Sequence, residues 1–511
     1  MTHSSIRQRH VPVLLLVLSL AATIPYTVPA LADSATESAP AVESVRSLME
    51  AAVALDMAGQ VGEAHAKVSQ ALRTTEFQSL GAVEQHSLVA LAGMFAFRAG
   101  DSKSAHEHFM RASAFEATHV EDWLGRLASA GMLNDKVDVG NCLLVIARRW
   151  PTSLAQLDDR SIEYSAQQLD DTAPEHLQRQ LLQALLDVGW KSKLGVEPDE
   201  LWRLLARLSL QAGQLDKAAE VLKRIHSAET LIRIRIDRRF ETFWATLPNP
   251  ADVDGIQRNT LQRTETAMVE RPRSLDAVAA HCYALRMLGQ WQAMLNTTDT
   301  ALQRIRKEGS SAYDDVEKNL AWIMNHRANA LEALGHVNEA ATQLQEARRL
   351  PENGVSNVSQ TINLGALYLR LHRPAAAITV TENMDRQVLT DNGLMRLEAV
   401  RQHALDLLGR KKEAAVALAF LKTHRDADRD GYLDALVRKG AVAPAAAELI
   451  KMLETPSDRD AALWSVQTFR SSEKGPHNKD FARTRETMLS RGDVRAAIEK
   501  VGQRFDWPLY N

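Results

Sequence analysis

The side chains that could carry chemistry in this 511-residue chain are few and scattered. The sharpest local pattern is acidic: Asp426, Asp428 and Asp430 alternate ahead of Gly431, and Asp434 follows. Carboxylates at positions 1, 3, 5 and 9 with glycine at 6 form the front of a calcium loop, hard oxygen donors for a hard cation. That loop needs a bidentate Glu at position 12, where this chain has Val437. The same acids precede a helix running to Gly440, where carboxylates cap free N–H groups and suit the dipole. They read first as a helix start and second as a weak calcium site at Asp426, Asp428 and Asp430.

Three further groups invite chemistry. His106-Glu107-His108 is the densest histidine cluster. Residues i and i+2 of a helix point apart, so the two imidazoles do not share a metal and a solvated face is expected. Ile232-Arg-Ile-Arg-Ile-Asp-Arg-Arg-Phe240 mixes bases with apolar residues. Read as a helix, it places Ile232, Ile236, Phe240, Phe243 and Trp244 on one face and Arg235, Arg238 and Arg239 on another. A packed helix with a solvated basic side is expected, and an acidic docking site is the alternative. The two cysteines, Cys142 and Cys282, lack metal-ligand spacing. No G-x-S-x-G, Walker loop, G-x-G-x-x-G or H-E-x-x-H motif is present. The formal charge of -3 gives no field to gather phosphates, so nucleic acid is not an expected partner.

The elements that must position these groups are helices. Gly and Pro number only 24 and 16, aromatics make up 5%, and the 45% apolar content is dominated by Ala and Leu. A recurring unit emerges from the spacing. Gly59, Gly100, Gly213, Gly335 and Gly409 are each followed five residues later by alanine: Ala64, Ala105, Ala218, Ala340 and Ala414. Four residues further stands a large apolar residue: Val68, Phe109, Leu222, Leu344 and Leu418. Weaker copies begin at Gly289, His372, Gly440 and Gly492. A helix ending in a left-handed residue favours Gly. The alanine lets the next helix approach, and the apolar residue one turn on fills the seam.

With Trp202, the small residues Ala206, Ala328 and Gly365, and the closing Pro351, these units resemble the tetratricopeptide repeat. The resemblance implies an all-α, right-handed α-solenoid over residues 45–425, degenerate at 113–200, with 426–511 an irregular helical C-terminal cap. Turn spacings of 37–46 residues exceed the family's 34. Repeats far apart along such a stack cannot bridge cysteines, so Cys142 and Cys282 are expected free and buried. The resemblance also implies a concave groove that holds extended peptides. Its lining would include Arg203, Arg207, Tyr283, Arg286, Trp322, Asn325, Asn329, Glu332, Arg396 and His403.

The first residues are an address. Arg7 and Arg9 precede the apolar run 11–24, Pro25 and Pro29 follow, and Ala30-Leu31-Ala32 forms a small-residue cleavage site. Residues 1–32 are thus expected to be a secretory signal, with a polar leader over 33–44. The mature chain would carry no transmembrane segment. It would be periplasmic in a Gram-negative source and secreted otherwise. The expected role is a non-enzymatic scaffold for protein or peptide partners, without cofactor. The alternatives are an accessory subunit or unrecognised enzyme of an envelope pathway, and a structural module with weak calcium dependence.

Overall fold

A computed structural model of the chain describes residues 44–169, 175–193, 197–249, 252–352, 356–382, 384–386, 389–471 and 476–510. The expected signal and leader, up to residue 43, lie outside the described residues. The fold class is an all-α helical-repeat solenoid, and the described residues divide into two compact units, 44–214 and 215–510.

The first unit holds α1 (Val45–Met57), α2 (Val61–Ala71), the short α3 (Thr75–Ser79), α4 (Ala82–Arg98), α5 (Ser102–Ala112), α6 (Val120–Met132), α7 (Lys136–Arg149), α8 (Asp159–Gln168), α9 (Glu175–Asp187) and α10 (Asp199–Gln211). The second unit begins with α11 (Leu215–Leu222), α12 (Ala228–Ile236) and α13 (Val253–Glu270). Four helix hairpins follow: α14 (Leu275–Met287) with α15 (Trp291–Glu308), α16 (Val316–Leu334) with α17 (Val337–Ala347), α18 (Val358–Arg370) with α19 (Pro374–Glu382), and α20 (Asp391–Leu407) with α21 (Lys411–Thr423). It ends with α22 (Arg429–Arg438), α23 (Val442–Glu454), α24 (Arg459–Ser465), β1 (Thr468–Arg470), α25 (Pro476–Leu489), α26 (Gly492–Val501) and β2 (Asp506–Tyr510).

The turns form for the reason their spacing suggests. Gly335 closes α16 at φ 92°, ψ 2°, and its N–H donates back to the Glu332 carbonyl. Gly59, Gly100, Gly213, Gly289, Gly409 and Gly440 take the same left-handed backbone, and His372 does so at φ 57°. Gly492 departs from expectation: it is the first residue of α26 and makes no left-handed turn. The stretch 113–200 does contain a hairpin, α6 and α7, whose turn residue is Asn134 at φ 56°. Asparagine tolerates this conformation through its short polar side chain, so the glycine spacing does not mark this turn.

The packing positions behave likewise. Ala64, Ala105, Ala218, Ala340, Ala414 and Ala445 are all buried. Phe109 shows how small residues create the seam. A Cβ built on Gly93 would lie 3.1 Å from its ring, and one on Gly125 of the next hairpin 2.4 Å from it. The ring fills a hole between two first helices, a contact whose deletion to alanine costs about 3–5 kcal/mol.

The C-terminal segment is less purely helical than expected. β1 and β2 pair in parallel, and Gly502 bridges to Asp237. Pro508 forbids helix within β2, whose Trp507 and Leu509 turn inward while alternate residues stay more open. Residues 426–510 therefore pack against α12–α15 as well as α20 and α21. One cluster joins Ala228, Ile232 and Met287 to Met395, Leu421, Leu436, Leu463 and Leu509. Both ends of the hairpin run meet the same C-terminal core.

Candidate functional site

Successive first helices of the hairpins touch one another, as α4 touches α6, α14 touches α16 and α18 touches α20. Second helices reach mainly to the next first helix. First helices therefore line the inside of the local curve, where the resemblance places a groove.

In the second unit that inner face carries a row of polar side chains. Tyr283 on α14 donates its hydroxyl to Glu229 Oε2 of α12 at 2.8 Å, and Arg233 donates to the same carboxylate at 3.1 Å. Arg286, one turn on, lies over the Tyr283 ring at 5.0 Å and is 7% exposed. On α16, Asn325 accepts from Asn363 Nδ2 of α18 at 3.1 Å, and Asn363 also donates to Gln360 Oε1 at 3.2 Å. Glu332 accepts a bidentate pair from Arg370 at 2.5 and 2.7 Å. Trp322 and Asn329 stand half-buried on the same helix. Two adjacent first helices are thus stitched by amide and ion-pair contacts.

His326, beside this row, was missed by sequence reasoning. Burial first, and repulsion from Arg286 second, push its imidazole down to about 4, and its buried Nδ1 has no hydrogen-bond partner. Asn363 and Arg370 were missed too. Both lie 38 residues after a bonded partner, Asn325 and Glu332. A one-repeat offset was the available signal.

Other expected lining residues are differently placed. Arg203 and Arg207 on α10 are buried at 8% and 7%, and Arg203 pairs with Glu200 at 3.0 Å. Arg396 on α20 donates to Asn392 Oδ1 at 3.0 Å and faces Asp428 at 3.7 Å. His403 is half-buried. The face is also partly filled by the protein itself. α12 lies against Tyr283, and segment 425–428 is pinned to α20 where Asn392 donates to the Ala427 carbonyl. The stretch presenting Trp322, Asn325 and Asn329 lies between these two covers.

The remaining groups are accounted for by packing. α12 ends at Ile236, and a 3-10 turn over Arg238–Phe243 follows, so the expected single helix is interrupted. Ile232, Ile236 and Phe240 are buried as expected, but the arginines are not a free basic side. Arg235 donates to the Trp244 carbonyl, Arg238 to the Glu499 carbonyl, and Arg239 to Asp237 and Asp460. Burial of their apolar neighbours carries these bases into reach of internal acceptors.

His106 and His108 do point apart, yet neither is solvated as expected. His106 reaches Ser129 at 3.4 Å and Asp138 at 3.6 Å, while His108 meets the His65 ring edge-on at 6.0 Å. Both cysteines are buried and free, and burial pushes the Cys282 thiol up to about 12. Asp428 caps α22 by accepting from the Gly431 N–H at 3.0 Å, and Asp426 accepts from Arg429. Among the described residues no group of three or more His, Cys, Asp or Glu is arranged to hold a metal ion. Among them, too, no helix is long and apolar enough to cross a membrane.

No family model matches the chain, and no curated protein does. Solved structures give distant likenesses. The crystal structure of the APC/C hetero-tetramer Cut9–Hcn1 is 11% identical, covers 90% of this chain and 86% of its own, and has a TM-score of 0.30. The TPR domain of P58(IPK) is 16% identical over 76% of this chain and 97% of its own, with a TM-score of 0.20. The structure of Naa15/Naa10 bound to HypK-THB is 12% identical over 88% and 69%, with a TM-score of 0.25. At such scores these likenesses carry no argument about what this chain binds.

Proposed function

We propose that the protein is an exported scaffold that holds an extended peptide segment of a partner protein along the inner face of the second unit. The carrying observation is the polar row that bridges α16 and α18. Amide side chains such as Asn325 and Asn363 offer donor and acceptor together, the chemistry that grips a peptide backbone. Trp322 supplies a broad apolar surface beside them. No residue is assigned a catalytic role.

The export half of this reading rests on Arg7, Arg9, the apolar run 11–24 and Ala30-Leu31-Ala32. Mass spectrometry of the protein recovered from its native cell should give a mature chain beginning at Asp33. A retained Met1 terminus sinks export. For the groove, cross-linked capture from the native envelope should yield a protein partner that the Trp322→Ala/Asn329→Ala double variant loses while its melting curve is unchanged. A partner held equally by the double variant sinks the groove reading.

A further inference from the structure

Arg286 is a buried cation without a counter-ion. The residue is 7% exposed, and among the described residues no carboxylate lies within ion-pair distance of it. Its neighbours are the ring of Tyr283 at 5.0 Å and the imidazole of His326. The acids that could have served it are engaged elsewhere: Glu229 holds Tyr283 and Arg233, and Glu332 holds Arg370. Buried charge is costly unless paired, and a chain of this charge balance has no shortage of acids with which to pair it. Beside it, His326 keeps an unbonded, buried Nδ1. Asn325 turns its amide oxygen toward Asn363, which leaves its NH2 group as a donor. α14 and α16, which carry these residues, pack directly on one another.

We propose that Arg286 receives a carboxylate side chain of an extended acidic peptide. This rests on the groove reading and names the chemistry of its ligand. The carboxylate belongs to a side chain because the polar row continues on both sides of Arg286, toward Glu229 and toward Asn363, so the ligand chain runs through.

The test uses the mature chain and three fluorescent hexapeptides at physiological salt. They are hexaglutamate with both ends blocked, hexaglutamine with both ends blocked, and hexaglutamine with a free C-terminal carboxylate. Anisotropy should show binding of blocked hexaglutamate alone, weakened about ten- to hundredfold by Arg286→Gln, since a charge-assisted bidentate contact is lost. Equal affinity in the variant, or no binding of hexaglutamate to the wild type, overturns the proposal. Binding of the free-terminus peptide as tightly as hexaglutamate overturns the side-chain assignment. Without peptide, Arg286→Gln should melt at or above the wild-type temperature, because it removes an unmatched charge. A fall of more than about 4 °C would make Arg286 a structural residue and also overturn it. If Arg286→Gln keeps the captured native partner while Trp322→Ala/Asn329→Ala loses it, the groove reading stands and this inference falls.

Discussion

Two buried polar clusters, one in each unit, are built in opposite ways. In the first, Asp122 is fully buried and fully used. It accepts from His86 Nε2 at 2.7 Å, from the Thr118 hydroxyl at 3.0 Å and from the His119 N–H at 2.8 Å. Arg126 likewise meets both oxygens of Asp138, at 2.8 and 2.5 Å, and donates to Ser113 at 3.0 Å. In the second unit, Arg286 and His326 face each other unmatched. A satisfied buried network holds helices in register. An unsatisfied one costs stability. The difference separates a cluster that is braced from a cluster that is poised.

The hardest blow to this contrast falls on the braced side. Asp122→Ala strands His86, the Thr118 hydroxyl and the His119 N–H inside the first unit. Removing one partner of a buried pair costs about 3–5 kcal/mol. Urea unfolding should show that loss, whereas Arg286→Gln in the second unit should show none. Comparable losses at the two sites would erase the contrast.

A smaller effect probes how the second unit is closed. Gly289 and Gly335 make the same left-handed turn, at φ 68° and φ 92°. Alanine costs about 1–2 kcal/mol in that conformation. A Cβ at Gly335 meets nothing within 4 Å, but at Gly289 it would lie 2.3 Å from the Tyr510 ring, which also packs edge-on to Trp291 at 5.4 Å. Overpacking adds about 1–3 kcal/mol there. Gly289→Ala should therefore lower the melting temperature more than Gly335→Ala. Equal shifts would mean that the C-terminal strand does not rest on α14 and α15 in solution.

Much of this was legible in the chain. The Gly-to-Ala spacing found the hairpin turns because each step has a local cause: backbone handedness, then close helix approach. His372 was found among the turns despite its side chain because Gly365 before it kept the small-residue position of the unit. Asn134 was passed over because its hairpin lacks the glycine. The candidate site was legible only in part. The register marked Tyr283, Arg286, Trp322 and Asn325 for the inner face, but burial of Arg203 and Arg207 depends on how neighbouring helices lean, which no local pattern records. Nor could spacing foresee that α12 and segment 425–428 would cover the two ends of that face. Those contacts join residues 54 apart, Glu229 and Tyr283, and 35 apart, Asn392 and Ala427.

Acid should affect both units through histidines, more weakly because each retains some solvent. Burial, then His65 and Arg111, push His108 down to about 4, while Glu107 and Asp101 pull it back up. His65 is lowered by burial and raised by Asp101. His326, facing Arg286, is pushed to about 4. A folded value below the unfolded value of about 6.5 means that the unfolded state binds protons first. This stabilisation is therefore present above about pH 6.5 and lost as pH falls toward 4. Melting temperatures recorded from pH 8 to 4.5 should fall, and His108→Gln and His326→Gln should each flatten the decline. Unchanged slopes would show that neither ring is held neutral by its surroundings.

The smallest effect concerns the acids that first drew notice. Asp428 caps α22 through the Gly431 N–H and faces Arg396, while Asp426 is drawn to Arg429. Arg429 in turn lies 3.1 Å from Asp458. An oxygen already engaged by a guanidinium or an N–H must release it before a cation can enter, and position 12 offers no carboxylate in exchange. Asp428→Ala should therefore cost about 1 kcal/mol, the worth of an N-cap. Wild-type melting curves in millimolar calcium and in chelator should superimpose, because a ligand stabilises only by binding the folded state. A calcium-dependent rise that Asp428→Ala abolishes would turn this segment from a helix start into a metal site. It would also place a second poised group in the unit that already holds Arg286.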